Sequence, residues 1–171
     1  MPRLLAIMAG CLLACGCDRP ATEFQRSGTP ALRLEVRRAS TESVEGWNAT
    51  TWQATTSAEE ETLFLSPQRE LTNDDVVSTG VQSDEYGLWQ VVVKLTDPAM
   101  KQFAVLSGEL VDTENVKTKG STAKRLAVLV DGKVTFAPMV REPIANGVLH
   151  LGSVRLTEQD ARRIAKGIVS E

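Results

Sequence analysis

The chain has 171 residues, of which 42% are hydrophobic and 24% are charged, and this length suits one folded domain. The formal net charge of −3 provides no basic field for a nucleic acid, and an aromatic content of 5% leaves few platforms on which bases could stack. We therefore expect no nucleic-acid partner.

All of the cysteines lie at the N-terminus. The chain has three of them, Cys11, Cys15 and Cys17, so the rest of the sequence offers neither a disulfide framework nor thiolate ligands for zinc. The single histidine, His150, cannot form a histidine cluster. We expect no metal and no cofactor.

The N-terminal stretch has the features of an export signal. After Arg3, residues 4–13 form an apolar run that is too short to span a bilayer but suits the hydrophobic region of a signal peptide. Cys15 and Cys17 each follow small residues in the manner of a bacterial lipobox, in which the cysteine becomes the lipidated first residue. We predict a signal peptide with a lipobox over residues 1–16 and a lipid on one of these cysteines. The alternative is an ordinary secretory signal with incidental cysteines.

A short polar stretch separates this signal from the predicted domain. Residues 17–30 contain Gly28 and Pro30 and are typical of a flexible tether. Residues 31–171 then form a single domain. Its first strand is predicted at residues 32–37, because apolar and charged residues alternate there, as in a strand with one face in the core.

The next stretch predicts little regular structure. Residues 39–61 are rich in Ser, Thr and Glu and predict a loop, in which Trp47 and Trp52 cover an edge of the core rather than bind a ligand. Further along, Asp74 and Asp75 begin a helical turn. We interpret these acids as capping residues at the positive end of the turn, because a metal or acid–base pair would need further ligands.

Apolar spacing predicts most of the remaining elements. Alternation predicts strands near residues 63–65, 77–81, 88–95 and 147–154. Apolar residues three and four positions apart predict two helices, which begin near Pro98 and Thr157. The polar residues 112–123 predict a solvated loop.

The clearest local signal lies in residues 124–147. Two apolar runs flank Asp131 and Gly132, a pair typical of a type I′ hairpin turn, because that turn needs a positive φ at both central residues. Pro138 has no N–H to donate, so its strand lies at a sheet edge or is interrupted there. We predict that these three residues have a structural role.

The order of the elements is strand, strand, short helix, two strands, helix, hairpin, strand and helix. This order predicts an α+β fold, with an antiparallel or mixed sheet and helices packed on one face.

The hairpin stretch resembles the head subdomain of the first periplasmic domain of the bacterial SecD family. The shared pattern reads K-R-L-A, D-G-K-V, A-P and R-E-P-I-x-x-G, and it lies at residues 124–127, 131–134, 137–138 and 141–147. Upstream, residues 71–76 are similar to the short L-T-G-x-D element of the family, and Phe103 is similar to its helix phenylalanine. The resemblance covers residues 60–171.

This resemblance implies a function in protein transport. SecD works with SecF beside the Sec channel, and its head subdomain contacts the emerging preprotein. The chain would then be a membrane-anchored, extracytoplasmic binding module that contacts exported or unfolded protein near the Sec translocase, in the bacterial cell envelope. An exposed sheet edge, or the groove beside the strand of Pro138, would accept an extended segment by strand addition, and Arg141 and Glu142 would line that edge.

Two further expectations complete this interpretation. The sequence shows no Ser-His-Asp elbow, no H-E-x-x-H and no Walker motif, so we expect a protein that is not an enzyme. The alternative function is a structural scaffold subunit of the envelope, with one fixed protein partner and no client protein.

Overall fold

A computed structural model describes residues 22–25, 28–53, 60–111 and 125–169. The predicted signal peptide, the lipidation candidates Cys15 and Cys17, and the predicted loop at residues 112–123 lie outside the described residues.

The described residues form ten strands and two α-helices. The strands are β1 (Thr22–Gln25), β2 (Leu34–Ser40), β3 (Asn48–Gln53), β4 (Glu60–Leu65), β5 (Leu71–Thr72), β6 (Val76–Ser83), β7 (Trp89–Leu95), β8 (Arg125–Val130), β9 (Lys133–Phe136) and β10 (Val148–Gly152). The helices are α1 (Asp97–Val111) and α2 (Glu158–Val169), and a single 3-10 turn spans Asn73–Asp75.

The predicted α+β class is confirmed, with the strands divided between two antiparallel sheets rather than one. The first sheet has four strands in the order β1-β6-β7-β10. The second has six strands in the order β3-β4-β2-β8-β9, with β5 paired to β2. The division arises because β10 pairs with β7 and not with the hairpin that precedes it in the chain. Local sequence patterns do not determine this long-range pairing.

Two stretches without a clear strand pattern are strands in the structure. β1 falls within the predicted tether and pairs antiparallel with Ser78–Val81 of β6. β3 falls within the predicted loop at residues 39–61 and pairs with β4 along its whole length. Within β3 the Trp52 side chain is buried and most neighbouring positions are exposed, so the apolar alternation is too weak to identify the strand.

One apolar core connects both sheets and both helices. Phe103 of α1 is 1% exposed and lies at its centre. α2 lies across the four-stranded sheet and buries the predicted stripe of Ala161, Ile164, Ala165 and Ile168. A second cluster on the other face of the six-stranded sheet includes Trp52, Leu63, Leu65, Ala127, Leu129 and Val134.

Glu35 is buried in the interior strand β2, although alternation predicts that its side chain faces solvent. Its carboxylate lies 2.6 Å from a guanidinium nitrogen of Arg37, 3.2 Å from one of Arg69 and 3.4 Å from one of Arg33. These cations compensate the buried charge, and removing them would leave an uncompensated carboxylate in the sheet.

Asn73 joins three segments that are distant in the sequence. Its Oδ1 accepts a hydrogen bond from the N–H of Leu34 at 2.9 Å. Its Nδ2 donates to the carbonyl oxygens of Leu32 at 3.0 Å and Ile168 at 2.9 Å. The amide thereby fixes the start of β2 against the end of α2.

The acids that follow Asn73 take the predicted capping positions. The N–H of Asp74 donates to the Thr72 hydroxyl, and Oδ2 of Asp75 accepts from the N–H of Thr72 at 2.8 Å. The capping interpretation is therefore confirmed for the Asp75 carboxylate, and Asp74 lies beside it in the first turn.

Candidate functional site

The β8–β9 hairpin forms one side of the candidate site. Its turn residues, Asp131 and Gly132, have φ values of 51° and 78°, the positive values that a type I′ turn requires. β9 is the edge strand of the six-stranded sheet and ends at Phe136, before Pro138. The proline thus follows an edge strand, where its missing N–H removes no ladder bond.

An apolar groove of about 600 Å³ opens next to this hairpin. One side of the groove is β10, and the other is residues 138–146, which we call the groove wall. The floor consists of four apolar side chains that belong to the shared core, namely Val36, Phe103, Leu126 and Val128. A smaller recess of about 100 Å³ shares Pro138, His150 and Leu151 with the groove and extends it towards Gly152. The site therefore lies where an edge of each sheet meets the core.

The groove wall is attached to the fold at three points. At its start, the carbonyl of Pro138 accepts a hydrogen bond from β8 at 3.1 Å. In its middle, the N–H of Ile144 donates to Oγ of Ser107 at 2.8 Å. Directly after it, the carbonyl of Gly147 accepts from the N–H of Leu95 at 2.9 Å. These bonds hold an irregular segment beside β10.

Two of these attachments depend on specific small residues. Ser107 is fully buried on α1, and its hydroxyl also donates to the carbonyl of Phe103 at 2.7 Å. Gly147 has a φ of 67°, and a β-carbon there would lie 2.8 Å from Cγ of Met100. Another residue would therefore be strained and would also collide with α1. This close approach explains the glycine that ends the R-E-P-I-x-x-G pattern.

β10 presents an unpaired backbone edge at the groove. The bond between the N–H of Leu95 and the carbonyl of Gly147 identifies these residues as a hydrogen-bonded pair, and such pairs recur at every second position of an antiparallel ladder. The N–H and C=O groups of Val148 and His150 consequently point away from β7. The N–H of Val148 donates to Oδ1 of Asn146 at 3.1 Å, which agrees with this direction. Within the described ranges, no strand pairs with this edge.

The structure brings the predicted contact residues to the groove. Arg141 and Glu142 both lie on the groove wall and are exposed. Neither forms an ion pair with a residue in the described part of the chain. They therefore provide adjacent opposite charges on an otherwise largely apolar surface.

Arg125 stabilises the start of the groove wall from β8. Its guanidinium lies 5.8 Å from the ring centroid of Trp52 and 3.6 Å from the carboxylate of Glu61. It also lies 3.5 Å from the carbonyl of Ala137. The arginine of the K-R-L-A pattern therefore connects β8 with the β3–β4 pair, and Trp52 is its cation–π partner rather than an exposed platform.

The sequence patterns did not identify β10 as part of the site. His150 lies on this strand and lines the groove, with Nδ1 3.3 Å from Nε2 of Gln82 and 3.2 Å from Oε1 of Gln90. Its side chain thus contacts neutral amides of β6 and β7. The backbone of His150, rather than its side chain, provides the free edge of β10. A single histidine in a sequence does not predict this, because the direction of its backbone groups depends on the pairing with β7.

Neither a candidate metal centre nor a membrane-spanning helix occurs in the described part of the chain. Residues 22–25, 28–53, 60–111 and 125–169 contain no group of three or more His, Cys, Asp or Glu side chains that could hold a metal ion. In the same ranges, no helix is long and apolar enough to cross a membrane.

Two antiparallel sheets and two helices define a two-sheet α+β domain, with a groove at the edge of the four-stranded sheet. The chain matches the family model described as "SecDF, P1 head subdomain" over residues 49–168. This chain belongs to the SecDF P1 head subdomain family, as its hairpin pattern predicts. The match begins earlier than residue 60, because β3 is part of the subdomain.

Solved structures with a similar fold are also SecDF proteins. One is described as SecDF in a super-membrane-facing form, and the other as a membrane component SecDF that enhances protein export. Each is 22% identical to this chain over 82% of its length, with a TM-score of 0.58, which shows a shared fold. The aligned region spans 18% of the first protein and 62% of the second. None of the curated protein sequences matches the chain.

Proposed function

We propose that this chain is a membrane-anchored, extracytoplasmic and non-catalytic module that binds exported or unfolded polypeptide near the Sec translocase. An extended segment of the client would lie along β10, between that strand and the groove wall. The observation that carries this proposal is the unpaired edge of β10, which opens onto an apolar groove of about 600 Å³.

The groove offers both of the contacts that strand addition uses. The N–H of His150 and the carbonyls of Val148 and His150 can pair with any extended chain, whatever its sequence, whereas the N–H of Val148 already donates to Asn146. The floor around Phe103 offers apolar surface to alternate side chains of the client. Backbone pairing with apolar contact suits an unfolded polypeptide, because unfolded chains expose both kinds of group.

The charged residues of the groove wall do not select clients by net charge. Arg141 and Glu142 lie next to each other on the groove wall, and their charges offset each other. A client with a high net charge of either sign gains little from such a pair. The proposed site therefore accepts clients of varied sequence.

The anchor is the second part of the proposal. It is supported by the apolar run of residues 4–13 and by the small residues before Cys15 and Cys17. A lipid on either cysteine would keep the groove at the outer side of a bacterial membrane, where exported chains emerge. The membership of the SecDF head family supports the same location.

Photocrosslinking in living cells tests the binding function. A photoreactive residue at Met139, which is 54% exposed on the groove wall, should crosslink to many proteins of different size. The same residue at Val105, which is 65% exposed on α1 and does not line the groove, is the matched control.

The pattern of crosslinks separates the two candidate functions. A heterogeneous set from Met139 that falls when export is blocked supports client binding. One discrete product at Met139 that persists during the block would instead support a scaffold with a fixed partner. Equal labelling at Met139 and Val105 would contradict a role for the groove.

A further inference from the structure

At one end of the four-stranded sheet, two turns lie at the same level as Thr22, the first residue of β1. β1 begins at Thr22, opposite Val81, so the end of β6 is next to the start of β1. Ser83 then pairs with Trp89, and Gly152 of β10 pairs with Gln90. Thr22, the turn at residues 84–88 and the turn at residues 153–157 thus lie together. We call this region the entry end.

The entry end carries an unusual share of exposed apolar surface. Six large apolar side chains are exposed in the described residues, and three of them lie here: Tyr86 at 79%, Leu88 at 36% and Val154 at 56%. The Asp84 carboxylate accepts hydrogen bonds from the N–H groups of Tyr86 at 2.9 Å and Leu88 at 2.8 Å. These bonds stabilise a turn that leaves the tyrosine ring outside the core.

The entry end is also the described region closest in sequence to the predicted lipid. Thr22 follows Cys17 by five residues and Cys15 by seven. A fully extended chain spans up to about 3.6 Å per residue, so the tether reaches at most about 18 Å from Cys17 or about 25 Å from Cys15. Because β1 belongs to the sheet, the domain cannot move far from its anchor.

We infer that the entry end rests on the membrane surface, with Tyr86, Leu88 and Val154 in the lipid interface. This inference depends on the lipid anchor of the proposed function. Tyrosine suits that depth, because its ring is apolar and its hydroxyl remains in the head-group region. Once the anchor is inserted, the contact is intramolecular, so a small apolar area is enough to maintain it.

The charges of the entry end indicate which lipid property it recognises. Asp84 and Glu85 are acidic, Arg155 is basic, and Glu158 is paired with Arg162 at 2.8 Å. The region therefore has no basic excess to attract anionic head groups. With Asp84 and Glu85 against Arg155, these residues carry one excess negative charge, so we expect the contact to be no stronger on anionic than on neutral vesicles and not to weaken when salt is added.

Fluorescence quenching tests this contact in the full lipidated chain. The protein is placed in neutral phosphatidylcholine vesicles that contain a lipid-borne quencher, and the cysteine of the Cys15–Cys17 pair that carries no lipid is changed to serine. A fluorophore is attached through Ser83→Cys at the entry end, or through Lys94→Cys at the opposite end of the sheet, where Lys94 pairs with Val148. Quenching should be several-fold stronger at position 83.

Surface variants test which side chains make the contact. In the Ser83→Cys protein, the pair Tyr86→Asp and Val154→Asp should reduce quenching to the level at position 94. Val105→Asp removes an equally exposed apolar side chain from α1 and should leave quenching unchanged. Equal loss in both variants would contradict the assignment of the contact to the entry end.

The outcomes distinguish the contact from the anchor. If the lipidated chain does not float with the vesicles, the proposed lipid anchor is contradicted. The proposed membrane contact of the entry end, which depends on that anchor, is then contradicted as well. If it floats but positions 83 and 94 are quenched equally, the contact is overturned while the anchor stands. Equal quenching accompanied by crosslinks from position 83 to a second copy, or to another protein in cells, would assign the entry end to a protein interface.

Discussion

Asp131 and Arg33, which are 98 positions apart in the sequence, are joined by two hydrogen bonds. Oδ1 of Asp131 accepts from the N–H of Arg33 at 2.8 Å, and the N–H of Asp131 donates to the carbonyl of Arg33 at 2.9 Å. The β8–β9 turn therefore holds the start of β2 beside the end of β8. Asp131 stabilises the central strand pair as well as its own turn.

Substitutions of Asp131 should show whether its hydrogen-bond acceptor or its negative charge stabilises the fold. Asp131→Asn keeps the side-chain oxygen and tolerates the φ of 51°, so we expect a nearly unchanged melting temperature. Asp131→Ala loses the acceptor and must still adopt a left-handed conformation, which should lower the free energy of unfolding by about 1–3 kcal/mol. Denaturant melts of both variants provide the measurement. A loss of partner binding in Asp131→Asn with an unchanged melt would show that the turn is part of a functional site.

Gly132 should tolerate a side chain poorly. Its φ is 78°, where a β-branched residue is strained, so Gly132→Val should lower the free energy of unfolding by about 1–3 kcal/mol. Gly108 in α1 is the matched control, because a β-carbon there meets no atom within 4 Å. Gly108→Ala should be neutral or stabilise the helix by up to about 1 kcal/mol. Equal effects of the two substitutions on thermal melts would contradict this explanation.

Substitutions of His150 can test the backbone pairing of β10 with a client without breaking a hydrogen bond between β10 and β7. Its N–H points away from β7, so His150→Pro removes a donor from the groove edge and no bond from the ladder. We expect this variant to fold and to bind an unfolded client polypeptide more weakly, by about tenfold if one or two backbone hydrogen bonds are lost. His150→Ala keeps the N–H and should bind normally. If the alanine variant loses as much affinity as the proline variant, the imidazole and not the backbone makes the contact.

β1 should contribute to stability although it is short and polar. A chain that begins at residue 28 lacks its four cross-strand pairs with β6, and its free energy of unfolding should fall by about 1–3 kcal/mol relative to a chain that begins at residue 22. Both chains should melt cooperatively, and a chelator or a reductant should change neither curve. Identical melting temperatures would mean that β1 adds nothing to the fold, whereas a large effect of the chelator would reveal a structural metal.

Replacing both Cys15 and Cys17 by serine should release the protein from the membrane fraction. The double variant cannot receive a lipid, and a diacylated cysteine with an N-terminal acyl chain exceeds the two signals that stable anchoring needs. The single variants identify the lipidated cysteine, because only one of them should release the protein. A double variant that still sediments with membranes would rule out the lipid anchor.

The elements with strong local patterns could be predicted from the sequence. The alternation around Asp131 and Gly132 identifies the β8–β9 hairpin, because turn type and strand pattern agree there. The stripe of α2 and the Thr157 cap identify the last helix, and the N–H of Asp160 donates to that threonine hydroxyl at 3.1 Å. Arg141 and Glu142 follow the hairpin directly, and the structure places both on the groove wall, while their contact with a partner stays a prediction.

The sequence predicts a groove beside the strand of Pro138, but not the part that β10 plays in it, because that part depends on contacts between distant segments. The pairing of β10 with β7 brings His150 opposite Pro138, and no local signal specifies that pairing. Asn73 is a similar case, because its two donors and one acceptor are all used by residues far away in the sequence. The polar strand β3 was missed because pairing with β4, rather than burial, makes it a strand.

The three attachments of the groove wall differ in kind: two are bonds between backbone groups and one is a bond to a side-chain hydroxyl. This difference bears on how the groove can change shape. Both ends of the wall are held by backbone bonds to strands, whereas the middle is held by the bond from Ile144 to the Ser107 hydroxyl and by the packing of Val140 and Ile144 against the core. A neutral hydrogen bond of this kind stabilises a structure by only about 1 kcal/mol. The middle of the wall is therefore the part whose displacement breaks no backbone bond to a strand. Under the proposed function, a bulky client side chain would enter there while both sheets keep every bond of their ladders.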